Sequence, residues 1–300
     1  MTAVPRRLFG ISAALTTPFD ENGNVDNSTL SKHASNLLQQ GCASVTLGGT
    51  TGEGPSLSID EKISAHMALT KAGIAPEKIV FAVMETALPT AIAAARKALD
   101  LGSKYLLVAP PFYFKGTSER AVVDWFRHFL NAIADKPAKV ILYNIPQMTA
   151  APMTPDMVGV LLKAFPDVIS GVKDSSGDWE NTKALLDRFK ELDILIGDER
   201  LLAPGIQLGG AGAISGVANF RPDLLIPLLD KHDPAPQLSA MVNLLLEYPV
   251  TAAVKSLVGH LTRNTDWRRI RAPLAPLDQA QYDILTSKYD GLFTNGTPND

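Results

Sequence analysis

Four short polar stretches each follow an apolar run in this chain, and together they carry an amine, two phenols and several hydroxyl groups. The stretches are residues 50–53, 110–113, 143–146 and the residues around Lys173. A neutral lysine amine can attack a ketone to form a Schiff base, and burial favours the neutral form. A phenol can move protons, and hydroxyl groups can relay protons or bind a carboxylate. The combination indicates a site for covalent chemistry on a ketone.

Lys173 is the residue on which this interpretation depends. Residues 168–170 precede it as a short run that predicts a buried strand, and a helical pattern begins at Trp179. A lysine at the end of a strand either extends its ammonium into solvent or is buried with a partner. Taken alone, this stretch favours the solvent-exposed alternative. The other polar stretches reverse that preference.

Each of those other stretches also has an ordinary structural explanation. Two threonines before a glycine, as at Thr50 and Thr51, are common in turns. A tyrosine at a strand end, such as Tyr143, is commonly a core residue whose hydroxyl reaches water. A catalytic site is favoured because an amine, phenols and hydroxyls all occur at strand ends, which meet at one face of a barrel.

The composition is that of an ordinary globular protein without a nucleic-acid or membrane partner. Of its 300 residues, 46% are hydrophobic and 20% are charged, with a net charge of −3. This charge supplies neither a basic field for nucleic acid nor a polybasic patch for membranes. No apolar run approaches the roughly 20 residues that a membrane-spanning helix needs. The apolar run at residues 8–15 lacks a small-residue cleavage site, so we interpret it as a first strand and not as a signal peptide.

Cysteine and histidine usage argues against a disulfide or a metal site. Cys42 is the only cysteine, which excludes an internal disulfide and fits a reducing cytosol. The histidines are scattered without metal-ligand spacing, at His33, His66, His128, His232 and His260. We therefore expect a cytoplasmic protein without a bound metal.

A strand followed by a helix recurs about eight times along the chain. The predicted strands are apolar throughout and do not alternate, which is typical of parallel strands buried on both faces. They cover residues 11–15, 43–47, 79–83, 105–108, 140–143, 168–173, 194–196 and 213–215. Eight such units predict an α/β protein with a (β/α)₈ TIM barrel. An open doubly wound sheet is the alternative, but the GxGxxG pattern expected after its first strand is missing.

Local signals place the helices between these strands. Asn27 or Ser28 is predicted to cap the first helix, and Ser58 with Glu61 forms a capping pattern for the second. Further helices are predicted over 89–101, 119–134, 155–164, 179–192, 201–208 and 221–229. The remainder is predicted to be helical over 239–248, 250–262 and 278–288, with a frayed tail from Thr294. We therefore expect a barrel over residues 1–230 and a C-terminal helical extension packed on it over 231–300.

With these motifs the chain resembles the dihydrodipicolinate synthase/N-acetylneuraminate lyase family of class I aldolases and dehydratases. The resemblance runs from Gly10 to about Pro276. It rests on four motifs in the family's order and spacing, namely Gly49-Thr50-Thr51-Gly52-Glu53, Tyr143-Asn144-Ile145-Pro146, Gly171-Val172-Lys173 and Gly197-Asp198-Glu199. It implies a (β/α)₈ barrel with a C-terminal helical region, a homotetramer built as a dimer of dimers, and a 2-keto acid substrate. No cofactor is implied, because the lysine itself supplies the electrophilic catalysis.

The resemblance also implies roles for residues of this chain. Lys173 would form the Schiff base with pyruvate or a pyruvate-derived moiety, and Tyr143 would be the proton shuttle and acid/base. Thr50 would link Tyr143 to Tyr113, a tyrosine that in this family reaches into the neighbouring subunit's site. Thr50 and Thr51 would hold the carboxylate of the keto acid.

Other positions of the resemblance bear on the substrate. The backbone carbonyl of Ile214 would meet the imine region. Family members that make dihydrodipicolinate grip the carboxylate of aspartate semialdehyde with an arginine where this chain has Met148, and a thioether cannot make that contact. Residues 84–86, Met-Glu-Thr, replace a strand end that is usually glycine-rich, and Glu85 would narrow or charge the mouth of the site. Arg200 either supplies a positive charge for a distal carboxylate or hydroxyl, or is a solvated residue paired with Glu199.

We therefore expect a Schiff-base lyase of a 2-keto acid, which either releases pyruvate by carbon–carbon cleavage or dehydrates a 2-keto-3-deoxy sugar acid. One alternative is 4-hydroxy-tetrahydrodipicolinate synthase, which condenses pyruvate with aspartate semialdehyde and which Met148 disfavours. Another is a catalytically idle relative that binds a keto acid as a sensor. Intact Lys173, Tyr143, Thr50 and Tyr113 argue against that last alternative, because a pure binder needs no proton relay.

Overall fold

The computed structural model describes residues 9–231 and 233–294, and at its centre is a closed barrel of parallel strands. Each strand pairs with its neighbour in sequence, and the first pairs with the eighth. The strands are β1 Gly10–Ala14, β2 Ser44–Leu47, β3 Ile79–Val83, β4 Tyr105–Val108, β5 Lys139–Asn144, β6 Ile169–Asp174, β7 Asp193–Ile196 and β8 Gly212–Ser215. The predicted TIM barrel is confirmed, and every predicted strand end lies within one residue of the observed end.

Both faces of the barrel strands are buried, which explains why the strands are apolar without alternation. In β3, Ile79, Phe81 and Val83 pack against the surrounding helices, whereas Val80 and Ala82 pack inside the barrel. The inner layer also includes Leu107, Ile141, Leu195 and Ile214. Because the interior is filled by side chains, a site for a substrate must lie at an end of the barrel.

Helices alternate with the strands and cover the outside of the barrel. They are α1 Asn27–Gln39, α2 Ile59–Lys71, α3 Leu88–Asp100, α4 Glu119–Ile133, α5 Pro146–Thr149, α6 Pro155–Ala164, α7 Trp179–Arg188, α8 Leu202–Gln207 and α9 Pro222–Leu225. The capping pattern of α2 is confirmed, because Ser58 and Glu61 each accept the other's backbone N–H. The predicted cap of α1 is wrong. The carboxylate of Asp26 caps this helix, because it lies before the first turn and accepts two backbone N–H groups there.

Two helices are shorter than the sequence predicts. Helix α7 ends at Arg188 and not at residue 192, because β7 begins at Asp193 and the chain must leave the helix first. Helix α9 ends at Leu225, and a 3₁₀ turn over Ile226–Leu229 follows it. Pro227 in this turn has no N–H group, so it cannot continue the α-helical hydrogen bonds.

Three helices follow the barrel, namely α10 Pro236–Leu246, α11 Val250–Thr262 and α12 Gln279–Thr294. Helix α12 packs against α10 and α11, and α11 packs against the turn that follows β8. Helix α12 continues past its predicted end at residue 288, because Tyr289 on this helix is part of the core. Thr294, where the sequence predicts a frayed tail, is the last residue of α12, and the rest of that tail lies outside the described residues. None of the described helices has the length and apolar character needed to cross a membrane.

Candidate active site

A cavity of about 700 Å³ opens at the carboxyl ends of the barrel strands. Its walls come from the loop after β2, the ends of β5 and β6, the turns after β7 and β8, and the first two C-terminal helices. Most residues that the sequence assigns to the site line it, namely Thr50, Thr51, Tyr143, Met148, Lys173, Arg200 and Ile214. The size and the position are typical of a small-molecule site in a (β/α)₈ barrel.

Lys173 and Tyr143 lie side by side at the buried end of the cavity. They are paired residues on the neighbouring strands β6 and β5. Lys173 is 6% exposed and Tyr143 is 2% exposed. Lys173 Nζ donates a hydrogen bond to the tyrosine hydroxyl at 3.2 Å and lies 4.4 Å from the centre of its ring. The lysine is therefore buried against a phenol, and the solvent-exposed alternative is wrong.

Thr50 extends this pair into a chain of three polar groups. Its hydroxyl lies 3.2 Å from the hydroxyl of Tyr143. Thr50 belongs to the glycine loop, residues 48–54, which follows β2. A Cβ at Gly54 would lie 1.8 Å from the carbonyl oxygen of Gly48, so the loop can turn this tightly only with glycine there. The loop thereby places a hydroxyl next to the phenol, and a proton can pass along the chain of hydrogen bonds.

Tyr113 is the predicted catalytic residue that this single chain does not bring to the cavity. It follows β4 and is 73% exposed, and its neighbour Phe114 is 75% exposed. The two rings contact each other edge to face at 5.2 Å between centres. The predicted link from Thr50 to Tyr113 is thus not made within this chain.

Met148 and Ile214 occupy opposite kinds of position in the cavity wall. Met148 lies in α5, directly after the end of β5, and is 59% exposed. Ile214 lies within β8, and its side chain is buried inside the barrel. Both line the cavity, Ile214 at the strand ends and Met148 nearer the solvent.

Arg200 reaches the cavity as part of an ion pair with Asp198. Its Nε and Nη2 donate to the two carboxylate oxygens at 3.0 and 2.6 Å, and its Nη1 donates to Asn243 on α10 at 2.7 Å. The hydrogen bonds that Arg200 donates to the Asp198 carboxylate hold the pKa of Arg200 above its ordinary value. The predicted pairing of Arg200 with Glu199 is wrong, because Asp198 takes that place.

Glu199 is a cavity residue that the sequence predictions did not assign to the site. It is only 9% exposed, and its Oε1 accepts a hydrogen bond from the hydroxyl of Ser215 at 2.6 Å. Burial raises the pKa of Glu199 above its ordinary value, although Ser215 opposes the shift. Its place shortly after β7, within the Gly-Asp-Glu motif, is the signal that could have identified this position.

Glu85 does not charge the mouth of the site, contrary to the prediction. Its carboxylate forms an ion pair with the buried ammonium of Lys62 and accepts the backbone N–H of Met84. Lys62 Nζ also donates to the carbonyl of Ala82 at 3.3 Å. The Glu85 carboxylate is therefore the partner of a lysine within the fold, because a buried ammonium needs a negatively charged or hydrogen-bonding partner.

Asp174, at the end of β6, fixes the strand ends that carry the lysine and the tyrosine. Its Oδ1 accepts hydrogen bonds from the Asn144 side chain at 2.9 Å and from the Ser176 N–H at 3.1 Å. Its Oδ2 accepts from Asn181 at 3.0 Å and from Thr182 at 2.8 Å. This carboxylate joins the ends of β5 and β6 to α7. Sequence reasoning missed the role because the donors come from three separate segments.

Within residues 9–231 and 233–294, no three His, Cys, Asp or Glu side chains are grouped so that they could hold a metal ion. The polar groups that converge in the cavity are instead an amine, a phenol, hydroxyls, two carboxylates and a guanidinium. Such a set is suited to covalent and acid–base chemistry on an organic substrate.

The fold and this cavity define a (β/α)₈ barrel enzyme with a buried lysine and tyrosine at the ends of adjacent strands. The model of the Dihydrodipicolinate synthetase family matches residues 7–289, and the chain belongs to this family. It is accordingly a lyase of the class I aldolase type.

Individual relatives agree on the family but differ in their described reactions. The chain is 34% identical to an uncharacterised DapA-like lyase of Chloroflexus aurantiacus over 96% of this chain and 98% of the relative. Its sequence is 43% identical to that of dihydrodipicolinate synthase from Agrobacterium tumefaciens. The crystal structure of that protein matches this one with a TM-score of 0.92, over 95% of this chain and 99% of the other. A variant of the 2-keto-3-deoxygluconate aldolase of Sulfolobus solfataricus, 23% identical, shares the fold with a TM-score of 0.82 over 95% of this chain and 97% of that one.

Proposed function

We propose that this protein is a Schiff-base lyase of a 2-keto acid in which Lys173 is the nucleophile. The observation that carries the proposal is the contact between Lys173 Nζ and the Tyr143 hydroxyl, 3.2 Å long, at the buried end of the cavity. The nearby Thr50 hydroxyl continues the hydrogen-bonded chain. An amine, a phenol and a hydroxyl in this order form a relay for making and breaking an imine.

In the carbon–carbon cleavage, each residue of the cavity has a separate role. The amine of Lys173 attacks the keto carbon, and the carbonyl oxygen leaves as water with protons delivered through Tyr143. Tyr143 then takes the proton of the C4 hydroxyl, and the protonated imine accepts the electron pair of the breaking C3–C4 bond. An aldehyde leaves, and an enamine of pyruvate remains. Protonation of the enamine at C3 and addition of water release pyruvate and regenerate the amine. Thr50 and Thr51 hold the carboxylate, and the carbonyl of Ile214 faces the imine.

The same imine also supports a dehydration. Loss of the C3 proton gives the enamine, whose electron pair then expels the hydroxyl group at C4 as hydroxide, which is protonated to water. The two reactions differ in which bond the site aligns with the imine plane. Substrates for both are 2-keto-3-deoxy sugar acids, which carry hydroxyl groups beyond C4. The polar edge of the cavity, formed by Asp198, Glu199 and Arg200, suits those hydroxyl groups.

The second candidate is 4-hydroxy-tetrahydrodipicolinate synthase. The observation that favours it is the 43% identity to the Agrobacterium tumefaciens protein described as dihydrodipicolinate synthase. Against it stands Met148 on the cavity wall, because a thioether cannot bind the carboxylate of aspartate semialdehyde as an arginine does. Arg200 does not replace that arginine, since its guanidinium is already paired with Asp198. A catalytically idle keto-acid sensor is a third candidate, which the intact relay disfavours.

The quaternary structure belongs to the same proposal. The resemblance to the family implies a homotetramer built as a dimer of dimers, in which Tyr113 completes the site of a neighbouring subunit. The exposure of Tyr113 and Phe114 supports this arrangement, because a pair of exposed aromatic rings is typical of a contact surface. A cytoplasmic location and the division at residue 230 into a barrel and a C-terminal helical region are part of the proposal as well.

Borohydride trapping tests the proposed function. The wild-type protein and Lys173→Ala are incubated with pyruvate, reduced with borohydride and measured by intact mass. We expect a pyruvate-sized adduct on the wild type and none on the variant. Turnover of a panel of 2-keto-3-deoxy sugar acids and of aspartate semialdehyde then distinguishes the lyase from the synthase. A wild-type protein without any adduct would contradict the proposal and leave the keto-acid sensor as the better account.

A further inference from the structure

A buried ion pair joins the glycine loop of residues 48–54 to the C-terminal helices. The side chains of Glu53 in the loop and Lys255 on α11 are both fully buried, although 202 residues separate them in the chain. Lys255 Nζ donates to Glu53 Oε1 at 2.6 Å and to the carbonyl oxygen of Thr17 at 2.8 Å. The Thr17 hydroxyl in turn donates to the carbonyl oxygen of Gly52 at 2.6 Å. One ammonium therefore ties the loop to the segment that follows β1 and to α11.

The second carboxylate oxygen of Glu53 is also bound by the C-terminal part of the chain. The backbone N–H of Arg271 donates to Glu53 Oε2 at 2.9 Å. The guanidinium of Arg271 donates to both carboxylate oxygens of Glu61 and to the carbonyl oxygen of Ser56. The segment around Arg271 thus holds both the glycine loop and the start of α2. Contacts from two directions fix where the loop lies.

The backbone of the loop is strained at the residue that makes these contacts. Glu53 has a φ of +57°, in the left-handed region that residues other than glycine rarely adopt. Its N–H donates to the carbonyl oxygen of Thr50 at 3.1 Å. The conformation of Glu53 is therefore coupled to the position of Thr50, whose hydroxyl contacts Tyr143. Strain of this kind persists only where surrounding contacts maintain it.

Stability alone does not explain why the chain has this ion pair. Removing two charges from water is costly, and apolar replacements of buried ion pairs are often neutral or stabilising. Consistent with that cost, burial lowers the pKa of Lys255 to about 8, although Glu53 opposes the shift. Hydrogen bonds between ions do, however, fix direction and distance, which apolar contacts do not.

We propose that Lys255 and Glu53 are positioning residues that hold the glycine loop so that Thr50 and Thr51 can bind the substrate carboxylate. On this account Lys255 on α11 positions the substrate-binding loop, although it contributes no group that reacts. The inference rests on the proposed function, in which Thr50 and Thr51 have that role. It assigns a role to buried charges that the proposed chemistry itself does not use.

The test measures the affinity for pyruvate separately from the stability of the fold. The variants are Lys255→Met, Glu53→Gln and the double variant, and the readout is the pyruvate concentration that gives half-maximal borohydride trapping. We expect each single variant to raise that concentration about tenfold or more, which corresponds to a loss of about 1.4 kcal/mol of binding free energy. The double variant leaves no buried charge unpaired, so we expect it to regain thermal stability but not pyruvate affinity.

Leu257→Ala is the matched control. Leu257 is fully buried on the same helix two residues further on, and so on another face of it. We expect this variant to lower the melting temperature without changing the half-saturating pyruvate concentration.

Wild-type affinity in Lys255→Met and in the double variant would overturn the inference while leaving the proposed function intact. If the double variant recovers affinity together with stability, the pair is merely structural, and the inference is again overturned. A wild-type protein without an adduct overturns both proposals.

Discussion

Tyr143 stands between Lys173 and Thr50, so its hydroxyl is the group through which a proton can leave the amine. The phenol contacts both neighbours at 3.2 Å, and its ring lies beside Lys173 Nζ. A phenol handles this proton without placing a fixed charge in a buried site, where such a charge would be costly. A substitution that removes the Tyr143 hydroxyl but keeps the ring can therefore test the proton transfer separately from the packing of the ring against Lys173.

Tyr143→Phe keeps the ring and removes the hydroxyl. We expect it to form the pyruvate imine about 100-fold more slowly or worse, because general acid–base catalysis of a proton transfer is lost. The rate of borohydride-trapped adduct formation at saturating pyruvate measures this. Thr50→Val is the companion variant, and a smaller loss is expected from it because Thr50 acts through the phenol. An unchanged trapping rate in Tyr143→Phe would rule out the phenol as proton shuttle.

Met148→Arg tests what the cavity wall decides about the second substrate. The substitution restores a group that binds a carboxylate with two hydrogen bonds, so we expect aspartate semialdehyde to be consumed about tenfold faster than by the wild type. Condensation of aspartate semialdehyde with pyruvate provides the measurement, and Met148→Leu serves as the control of similar size. Efficient condensation by the unmodified protein would instead identify it as the synthase.

At the scale of elements, the site depends on the ends of β5 and β6 keeping their register. The paired positions of Tyr143 and Lys173 bring the phenol and the amine together. Directly after them, the carboxylate of Asp174 accepts hydrogen bonds from side chains on β5 and α7. The barrel thus supplies the spacing, and one buried carboxylate at the strand ends maintains it.

Asp174→Asn replaces one acceptor oxygen by an NH₂ group that faces donors. We expect a loss of about 1–3 kcal/mol in stability, because buried donors lose their acceptor, together with slower imine formation. The melting temperature and the trapping rate are measured together. Asp178→Asn, at the exposed N-cap of α7, is the matched control, since asparagine caps a helix as well as aspartate does. Equal behaviour of the two variants would show that Asp174 has no special part in the site.

At the scale of the whole molecule, a buried histidine links the first helix to the two strands where the barrel closes. His33 Nε2 lies 3.2 Å from the side-chain oxygen of Asn219, which follows β8. That asparagine accepts the backbone N–H of Thr16 and donates to the carbonyl of Ala14, at the end of β1. Burial lowers the pKa of His33 to about 4, so the ring is neutral in the fold at neutral pH.

This pKa predicts how stability changes with pH. Between pH 6.5 and about 4 the unfolded chain binds a proton on His33 that the folded chain does not, so stability falls as the pH is lowered through this window. The full effect is about 3 kcal/mol. Urea unfolding midpoints of the wild type and of His33→Gln, measured from pH 7 to pH 4, should show the smaller decline in the variant. Parallel curves would mean that His33 titrates alike in both states.

A mixing experiment tests whether Tyr113 acts in a neighbouring subunit. Lys173→Ala and Tyr113→Phe chains, with different affinity tags, are co-expressed, and the mixed oligomers are isolated. We expect them to be more active than either parent, because a site with Lys173 from one chain can receive Tyr113 from the other. Activity no greater than that of Tyr113→Phe alone would place the tyrosine outside the neighbour's site. Mass measurement of the intact complex would give the number of subunits.

The barrel, and the position of Lys173 near the end of its sixth strand, follow from the amino-acid pattern alone. Eight apolar runs with helices between them leave few other ways to bury both faces of every strand, so the strand ends were predicted to within one residue. Tight loops and strand ends also have local signals, which is why Lys173, Tyr143 and Thr50 were placed after predicted strands, where the cavity lies. The pairings between distant side chains, by contrast, are visible only in the folded structure. Arg200 forms an ion pair with Asp198, and Glu85 forms one with Lys62. Asp174 accepts hydrogen bonds from side chains on other elements. Such contacts depend on where folding brings each side chain and not on local sequence pattern.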